Sequence, residues 1–291
     1  MAVEELKKTL VLGHRNPDTD SICSAICYAG FKHQLTGENY EPCRAGNVNP
    51  ETQYVLDYFK LKAPRLVENV KTQVKDIEIR KTKGVSRGIS LKNAWGLMQE
   101  NNVVTLPCVT EEGLLEGVIT IGDITKSYMN LYDSSIISKA CTKYANILDT
   151  LEGSMVVGDS EAYFDRGKVL IAAANPDLME NYIEKHDLVI LGNRYESQLC
   201  AIEMEAGCII VCEGAGVSLT IRKLAQERGC AVITTQYDTY TTARLINQSM
   251  PISYFMTKEN IIEFSEEDYL DDIREIMASK RHRDFPILDS D

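Results

Sequence analysis

The sequence predicts the α/β fold class, in which helices cover sheets that are mainly parallel. Short apolar runs rich in β-branched residues, which suit buried strands, alternate with stretches whose apolar residues recur at helical spacing. A second observation is an internal repeat with a constant offset of 179 positions, which indicates two copies of one supersecondary unit. The length of 291 residues allows about two domains of roughly 150 residues each.

The first seventy residues follow a βαβ pattern, so we expect a parallel sheet there. The apolar run Thr9–Leu12 predicts the first strand, and a helix begins near Ser21, which Asp20 or Ser21 can cap. A second helix is predicted over 51–59. Its inward-facing residues are expected to be Val55, Leu56 and Phe59.

The internal repeat is visible in pairs of apolar or turn residues that share the 179-position offset. These pairs are Ile77 and Met256, Val85 and Phe264, Leu91 and Leu270, Ala94 and Ile273, Met98 and Met277, and Pro107 and Pro286. The first copy continues through a turn at 111–113, a strand over 115–121 and a helix from Asp123. The second copy would need counterparts at positions 299 and 302, so we expect it to be truncated after its second strand.

The region between the two copies, residues 131–250, also alternates strand and helix signals. Strands are predicted over 168–174, 187–191, 208–212 and 231–234, and helices over 175–184, 197–206, 218–226 and 240–247. Gly207 and Gly229 stand where helix C-caps are expected, and 213–216 predicts a strand-to-helix turn. The middle region is therefore expected to be a further α/β layer structure.

Composition excludes several classes of function. The net charge of −12 disfavours general binding to nucleic acid or to an anionic membrane. The sequence has no stretch of about 18 apolar residues and no signal-peptide pattern at its acidic start. Its nine cysteines lack paired spacing and read as reduced, mostly buried thiols. We therefore expect a cytoplasmic protein with no nucleic-acid or membrane partner.

The sharpest chemical signal is His14-x3-Asp18-x-Asp20 in the loop that follows the first strand. Open α/β sheets place ligand sites at the carboxyl ends of their strands, where this loop lies. One imidazole and two carboxylates suit a divalent ion such as Mn²⁺ or Mg²⁺. The alternative is an Asx-rich turn that caps the following helix, and the spacing leaves both interpretations open.

The residues around this motif resemble a known family. Gly-His-Arg-Asn-Pro-Asp-Thr-Asp-Ser-Ile-Cys-Ser-Ala at 13–25, together with residues 44–56 and Ala-Pro-Arg-Leu at 63–66, is similar to family II inorganic pyrophosphatases of the DHH phosphoesterase superfamily. The resemblance implies a partial DHH-type parallel-sheet domain over 1–70 that hydrolyses pyrophosphate to two phosphates. It also implies that His14, Asp18 and Asp20 are metal ligands, that the two aspartates are catalytic, and that Asp20 bridges the ions.

The same resemblance implies Mn²⁺ or Co²⁺ as the metal, with Mg²⁺ as an alternative. The family completes its site with an Asp-His-His motif and a Ser-Arg-Lys triplet, neither of which occurs in these 291 residues. We therefore expect this chain to be inactive by itself.

The repeat resembles a pair of CBS domains, which sense adenine nucleotides and have a βαββα unit. Gly117–Asp123 in the first copy carries the pattern of a Ser or Thr three residues before an Asp. Thr120 is then expected to contact phosphate, and Asp123 to hold ribose hydroxyls. In the second copy the basic residues Arg281, His282 and Arg283 are candidate phosphate contacts. An ordinary capping arrangement and a solvated helix end remain the alternatives.

The middle region resembles a DRTGG domain through residues 191–203 and 231–240, although the Asp-Arg-Thr-Gly-Gly signature itself is absent. The predicted domains are the DHH part at 1–70, a first CBS domain at 71–130, a DRTGG-like domain at 131–250 and a truncated second CBS domain at 251–291. This layout implies inhibition by AMP and ADP, activation by ATP or diadenosine polyphosphates, and a homodimer. The alternative functions are a non-catalytic nucleotide-binding module and another DHH-superfamily phosphoesterase.

Overall fold

Short strands and helices alternate along the chain in a computed structural model that describes residues 8–129, 133–280 and 283–288. The strands are β1 (Thr9–Val11), β2 (Tyr40–Arg44), β3 (Arg65–Leu66), β4 (Thr105–Val109), β5 (Leu115–Thr120), β6 (Thr142–Lys143), β7 (Ser154–Val157), β8 (Tyr163–Phe164), β9 (Val169–Ile171), β10 (Leu188–Leu191), β11 (Cys208–Val211), β12 (Ala231–Thr234), β13 (Phe264–Ser265) and β14 (Ile287–Leu288). The helices are α1 (Thr19–Thr36), α2 (Pro50–Tyr58), α3 (Leu91–Glu100), α4 (Ile121–Met129), α5 (Ile136–Lys139), α6 (Tyr144–Thr150), α7 (Pro176–Met179), α8 (Tyr195–Glu203), α9 (Leu219–Arg228), α10 (Thr239–Leu245) and α11 (Leu270–Lys280).

The described residues form two compact units. The first unit contains the residues up to Ile77 together with Glu267–Lys280. The second unit contains Glu78–Glu266 together with residues 283–288. Each unit therefore combines segments that are far apart in the sequence.

In the first unit, β1, β2 and β3 form a parallel sheet in that order, with Thr9 opposite Tyr40 and Cys43 opposite Arg65. Helices α1 and α2 are the two crossover connections, which confirms the predicted βαβ pattern. Helix α1 buries Ile22 and Ala25 among its inward residues.

Two predictions about these helices are wrong. Asp18, rather than Asp20 or Ser21, caps α1, because its backbone is extended and its carboxylate accepts the N–H of Ser21 at 2.9 Å. Phe59 does not face inward but is 64% exposed, because α2 ends at Tyr58 and the helical periodicity ends with it.

The internal repeat is confirmed by the register of its strands. Val85 forms a parallel bridge with Cys108 in the first copy, and Phe264 pairs in parallel with Ile287 in the second. Both partners are shifted by the same 179 positions that the sequence shows. Helices α3 and α11 begin at equivalent leucines, so each copy has the same order of bridge, helix and strand.

The segment that leads into one copy pairs with the other copy. We call residues 250–254, which contain a 3₁₀ turn, the second lead segment. The N–H of Leu91 donates to the carbonyl of Met250 at 2.9 Å, and the N–H of Ile252 donates to the carbonyl of Ile89 at 2.9 Å. The second lead segment thus pairs with the start of α3, which belongs to the first copy.

The reciprocal arrangement occurs in the first unit. Residues 72–76, the first lead segment, also contain a 3₁₀ turn. The N–H of Leu270 donates to the carbonyl of Thr72 at 3.0 Å, and the N–H of Val74 donates to the carbonyl of Asp268 at 3.0 Å. The lead segments are therefore exchanged. In the first unit this exchange joins residues near Thr72 to Glu267–Lys280, whereas in the second unit the pairing of β13 with β14 brings in residues 283–288.

The second unit is centred on a five-stranded sheet in the order β7-β12-β11-β10-β9. Strands β9 to β12 are parallel and β7 is antiparallel at one edge. Side chains of β10 alternate between two buried clusters, with Leu188 and Ile190 in one and Val189 and Leu191 in the other. The sheet is therefore covered on both faces, and the four strands predicted for this region are confirmed.

Two details of this region differ from the prediction. The helix expected over 175–184 ends at Met179, and the chain continues in turns, with the N–H groups of Tyr182 and Ile183 donating to the carbonyl of Met179 at 2.9 and 3.1 Å. Gly207 is not a C-cap, since α8 ends earlier with Met204 as its cap. A Cβ at Gly207 would lie 2.8 Å from the carbonyl oxygen of His186, so the close approach of two backbones requires glycine.

The prediction that Gly229 is a helix C-cap is confirmed. Gly229 caps α9 with a φ of 68°. The nine cysteines are all free, and six of them are buried. None of the helices within the described residues is long and apolar enough to cross a membrane.

Candidate functional site

The His14–Asp18–Asp20 motif lies where β1 ends and α1 begins, at the carboxyl end of the parallel sheet. We call residues 12–18 loop 1. A Cβ at Gly13 would lie 2.0 Å from the Oγ of Ser21, so glycine lets loop 1 pack against the first turn of α1. Pro17 is buried, which anchors the other end of the loop. Local packing therefore places the motif at the sheet edge where α/β proteins bind ligands.

His14 and Asp18 form a surface pair, with 3.5 Å between His14 Nε2 and Asp18 Oδ1. The backbone N–H of Ser21 is the largest cause that lowers the pKa of Asp18, and the nearby imidazole of His14 also lowers it, whereas desolvation raises it. Asp18 is therefore an anion at neutral pH. Its carboxylate is engaged as the helix cap, as the capping alternative predicted.

Asp20 points elsewhere. Its Oδ1 accepts a hydrogen bond from the Oγ of Ser24 at 3.2 Å, and its side chain lines a cavity of about 350 Å³ together with His14 and Tyr28. Asp18 does not line that cavity. The structure thus pairs His14 with Asp18 and places His14 and Asp20 on the lining of one cavity, but among the described residues it does not bring the three donors to one point.

The donor types suit Mn²⁺ or Co²⁺, but the arrangement of donors does not. In the part of the chain that the structure describes, no group of three or more His, Cys, Asp or Glu side chains is arranged to hold a metal ion. We therefore derive no catalytic step through a metal from these residues alone. The metal-ligand roles of His14, Asp18 and Asp20 remain predictions.

The candidate nucleotide residues of the first CBS copy are close together at the junction of β5 and α4. Thr120 Oγ1 donates to Asp123 Oδ2 at 2.7 Å, and the N–H of Thr120 donates to the same oxygen at 3.0 Å. The N–H of Asp123 in turn donates to Thr120 Oγ1 at 3.2 Å. The two side chains satisfy each other as a capping arrangement, so their nucleotide role is a prediction that would require this pair to open.

The basic residues of the second copy are only partly described. Arg281 and His282 lie outside the described residues, whereas Arg283 is described and exposed. Helix α11 ends at Lys280, so the cluster follows the helix as the sequence indicates.

Sequence reasoning missed a set of polar contacts that joins α3 to α6. Lys92 Nζ donates to the carbonyls of Asp149 and Thr150 at 3.3 and 3.2 Å, and Asn93 donates to Asp149 Oδ2 at 3.0 Å. Asn146 donates to the carbonyl of Gly88 at 2.9 Å. An ammonium at the carboxyl end of a helix is favoured by the helix dipole. These contacts link the first CBS copy to the middle region, and no local sequence pattern predicts them.

Two family models match the chain, a CBS domain over residues 74–130 and a DRTGG domain over residues 146–249. A cobalt-dependent inorganic pyrophosphatase of Clostridium perfringens is 38% identical over 279 residues, which are 96% of this chain and 51% of the relative. A probable manganese-dependent inorganic pyrophosphatase of Thermotoga maritima is 29% identical over 282 residues, again 51% of the relative. The chain therefore spans about half the length of these curated relatives.

A solved structure gives a further comparison. It contains the CBS and DRTGG domains of the regulatory region of Clostridium perfringens pyrophosphatase, complexed with the activator diadenosine tetraphosphate. The likeness has a TM-score of 0.71 and 34% sequence identity, and it covers 76% of this chain and 96% of that one. This comparison confirms the α/β fold class with CBS and DRTGG domains.

Proposed function

Because this chain belongs to the family of metal-dependent inorganic pyrophosphatases that carry CBS and DRTGG domains, we propose that it binds adenine nucleotides and thereby regulates pyrophosphate hydrolysis. One observation carries the proposal. The regulatory region that resembles this chain over 96% of its own length is complexed with an activator, diadenosine tetraphosphate. The proposed ligands are diadenosine polyphosphates, AMP, ADP and ATP.

The proposed nucleotide contacts are Thr120 and Asp123 from the first CBS copy and Arg281, His282 and Arg283 from the second. An incoming phosphate would accept the hydroxyl hydrogen that Thr120 now gives to Asp123, and ribose hydroxyls would donate to the freed carboxylate. The domain boundaries at 70, 130 and 250 belong to the same proposal.

Regulation requires that a nucleotide bind two conformations with different affinity. The Lys92 and Asn93 contacts to α6, with the Asn146 bond to Gly88, are direct polar links between the first CBS copy and the DRTGG region, and they support transmission through that junction. We also propose, from the family resemblance, a cytoplasmic location and a homodimer. Sedimentation at several protein concentrations tests the dimer, which a constant monomer mass would exclude.

For catalysis, we propose that His14, Asp18 and Asp20 contribute to a site for Mn²⁺ or Co²⁺ that needs further donors. The described donors do not converge, so the chain by itself is expected not to hydrolyse pyrophosphate. The same observation favours a second candidate function, a non-catalytic nucleotide-binding module. Release of phosphate from pyrophosphate by this chain with Mn²⁺ or Co²⁺ would contradict both statements.

Calorimetric titration with diadenosine tetraphosphate and with AMP tests the nucleotide proposal. We expect saturable binding that Asp123→Asn weakens by about tenfold or more, because a charge-assisted contact is lost. Asp238→Asn is the matched control. Asp238 caps α10 through Thr241, so this substitution removes the same charge from the end of a different helix. The absence of binding by the unmodified chain, or equal losses in the two variants, would refute the proposal.

A further inference from the structure

A second cavity is lined by Arg15, Asn16 and Pro17 of loop 1 and by residues 45–47 and 49. Residues 45–49, which we call loop 2, follow β2 as loop 1 follows β1, so the two loops leave neighbouring strands at the same sheet edge. A Cβ at Gly46 would lie 2.3 Å from the carbonyl oxygen of Arg15 and 2.7 Å from Pro17 Cδ. Glycine at 46 therefore lets the two loops touch, and the contact closes one side of the cavity.

The cavity has a volume of about 490 Å³, within the range of roughly 300–1,000 Å³ that small-molecule sites occupy. Its polar lining consists of one guanidinium and three side-chain amides, from Arg15, Asn16, Asn47 and Asn49. No carboxylate lines it, although the chain contains 43 acidic residues and carries a net charge of −12. A lining with one cation and no carboxylate favours an anion over a cation.

The lining groups have capacity for a ligand. Within the described residues, the side chains of Arg15, Asn16 and Asn47 form no hydrogen bond or ion pair with the protein. Asn49 is the exception, because its Oδ1 caps α2 by accepting the N–H of Thr52 at 2.7 Å. Its amide NH₂ group remains a donor, so the guanidinium and three amides can all donate to one acceptor-rich group.

The helix terminus is not what makes this cavity suitable. The first residue of α2 is Pro50, which has no N–H, and the N–H of Thr52 is already used by Asn49. The carboxylates nearest in sequence are also outside the lining, since Asp18 caps α1 and Glu51 lies in the exposed first turn of α2. Side-chain donors alone therefore define the site.

We infer that this cavity binds a phosphoryl oxyanion, either inorganic phosphate or one end of pyrophosphate. The planar guanidinium of Arg15 matches two oxygens of such a group, and the amides of Asn47 and Asn49 supply further donors to the remaining oxygens. Because Arg15 follows His14 directly, an anion held here lies next to the candidate metal motif without using its carboxylates. The inference is independent of nucleotide binding at the CBS copies.

The test is titration of the full chain with orthophosphate and, separately, with pyrophosphate, followed by calorimetry and by ³¹P line broadening. EDTA is present throughout, so that binding through a metal is removed. We expect saturable binding of at least one of the two anions, and a tighter pyrophosphate complex would identify the substrate as the source of the phosphoryl group. Sulfate at equal ionic strength controls for general attraction of anions.

Two variants locate the binding. Arg15→Gln and Asn47→Asp are each expected to weaken it by about tenfold or more, the first by removing the cation and the second by adding a carboxylate. Lys62→Gln and Asn39→Asp make the same charge changes at exposed positions of the same unit. Asn39 precedes β2, whereas the cavity follows its other end. The control variants should bind as the unmodified chain does.

Three outcomes would overturn the inference: no binding of either anion, binding that Arg15→Gln and Asn47→Asp leave unchanged, or equal losses in the control variants. A chain that binds diadenosine tetraphosphate but neither orthophosphate nor pyrophosphate would contradict this inference alone. A chain that binds phosphate through Arg15 but no adenine nucleotide would contradict only the proposed nucleotide function. Circular dichroism of each variant confirms that the sheet is retained.

Discussion

The parallel strands β1–β3 of the first unit and β9–β12 of the second unit form sheets that differ in what covers them. The four-residue strands β10 and β11 of the second unit are buried at every position, and hydrophobic clusters cover both faces of that sheet. In the first unit, β1 has no fully buried residue and β2 has only Cys43. Loop 1 and loop 2, which line the two cavities, follow strands of this less buried sheet.

The comparison indicates a division of roles, in which the large sheet serves stability and the small sheet, by our proposals, serves ligand binding. A sheet covered on both faces gains most from apolar burial, and large side chains there leave little room for polar groups. The strands of the smaller sheet bury fewer side chains. At its carboxyl edge, His14 and Asp20 line one cavity and Arg15 lines the other. We therefore expect substitutions in the large sheet to affect folding, and those at the edge of the small sheet to affect binding.

The largest difference is expected for core truncations. Ile210→Ala, at the centre of β11, should lower the free energy of unfolding by about 2–5 kcal/mol, because a fully buried side chain leaves a cavity. Val11→Ala in β1 should cost less than about 1.5 kcal/mol, since Val11 is only partly buried. Urea unfolding followed by circular dichroism measures both, and the fluorescence of the single tryptophan, Trp95, reports on the second unit. Equal losses would remove the distinction between the two sheets.

A smaller effect is expected from adding one methyl group where the two loops touch. Gly46→Ala should destabilise the first unit by about 1–3 kcal/mol and reduce phosphate binding, because backbone atoms of loop 1 occupy the position of its Cβ. Gly192→Ala, after β10, meets no atom within 4 Å and should stay within about 0.5 kcal/mol of the unmodified chain. Thermal unfolding and phosphate titration measure the pair, and an unaffected Gly46→Ala protein would argue against the loop contact.

Two substitutions of Asp18 distinguish its role as a helix cap from its proposed role as a metal ligand. Asp18→Ala should lower Tm by roughly 2–8 °C through loss of the helix cap, whereas Asp18→Ser keeps a capping oxygen and should recover most of that loss. If Asp18 also binds a metal, neither variant should retain the affinity of the unmodified protein for Mn²⁺. Calorimetry with Mn²⁺ therefore distinguishes the two roles, and equal Mn²⁺ affinity in all three proteins would leave capping as its function.

The same residue predicts a pH dependence. Its pKa is lower in the folded state than its ordinary value of 3.8, so the ionised carboxylate stabilises the fold above that pH. This contribution is lost as the pH falls below about 4 and through the folded-state pKa. The difference in Tm between the unmodified protein and Asp18→Ala should therefore shrink between pH 5 and pH 3. A constant difference would contradict the assignment.

The smallest perturbation is chemical labelling of thiols, which should leave the fold intact. Cys27 on α1 is exposed and should react with iodoacetamide at pH 8 within the native protein. Burial raises the pKa of Cys230 beside the large sheet to about 12, so its labelling should be at least about a hundredfold slower. Peptide mapping by mass spectrometry compares the two sites, and labelling in concentrated urea provides the unfolded reference. Rapid native labelling of Cys230 would contradict its burial.

Much of the fold could be predicted because its strongest signals are local. Runs such as Leu188–Leu191 are apolar at every position and identify buried strands without an alignment. The edge strand β7 was not predicted, since Ser154–Val157 follows directly on the turn that ends α6 and is too short to show a period. The helix over 175–184 was predicted too long, because the apolar spacing that includes Met179 and Ile183 continues beyond the helix into turns that bury the same side chains.

The position of the candidate site in the chain could be predicted from the sequence, but the contacts of its side chains could not. The spacing of His14, Asp18 and Asp20 identifies the loop, yet which carboxylate caps the helix depends on whether residue 18 or 20 has an extended backbone. The second cavity depends on a contact between loops 30 residues apart, from Pro17 to Asn47, and sequence spacing contains no information about it. Long-range contacts are the part that only the structure provides.

The exchanged lead segments have a consequence for synthesis on the ribosome. Leu91 needs the carbonyl of Met250, which is made 159 residues later (250 − 91). At translation rates of about 5–20 residues per second, α3 therefore waits roughly 8–30 s for the second lead segment, which pairs with its first turn. During that interval the whole DRTGG region emerges and can fold. The first CBS copy is thus complete only after the region inserted behind it, so the order of maturation runs against the order of the sequence.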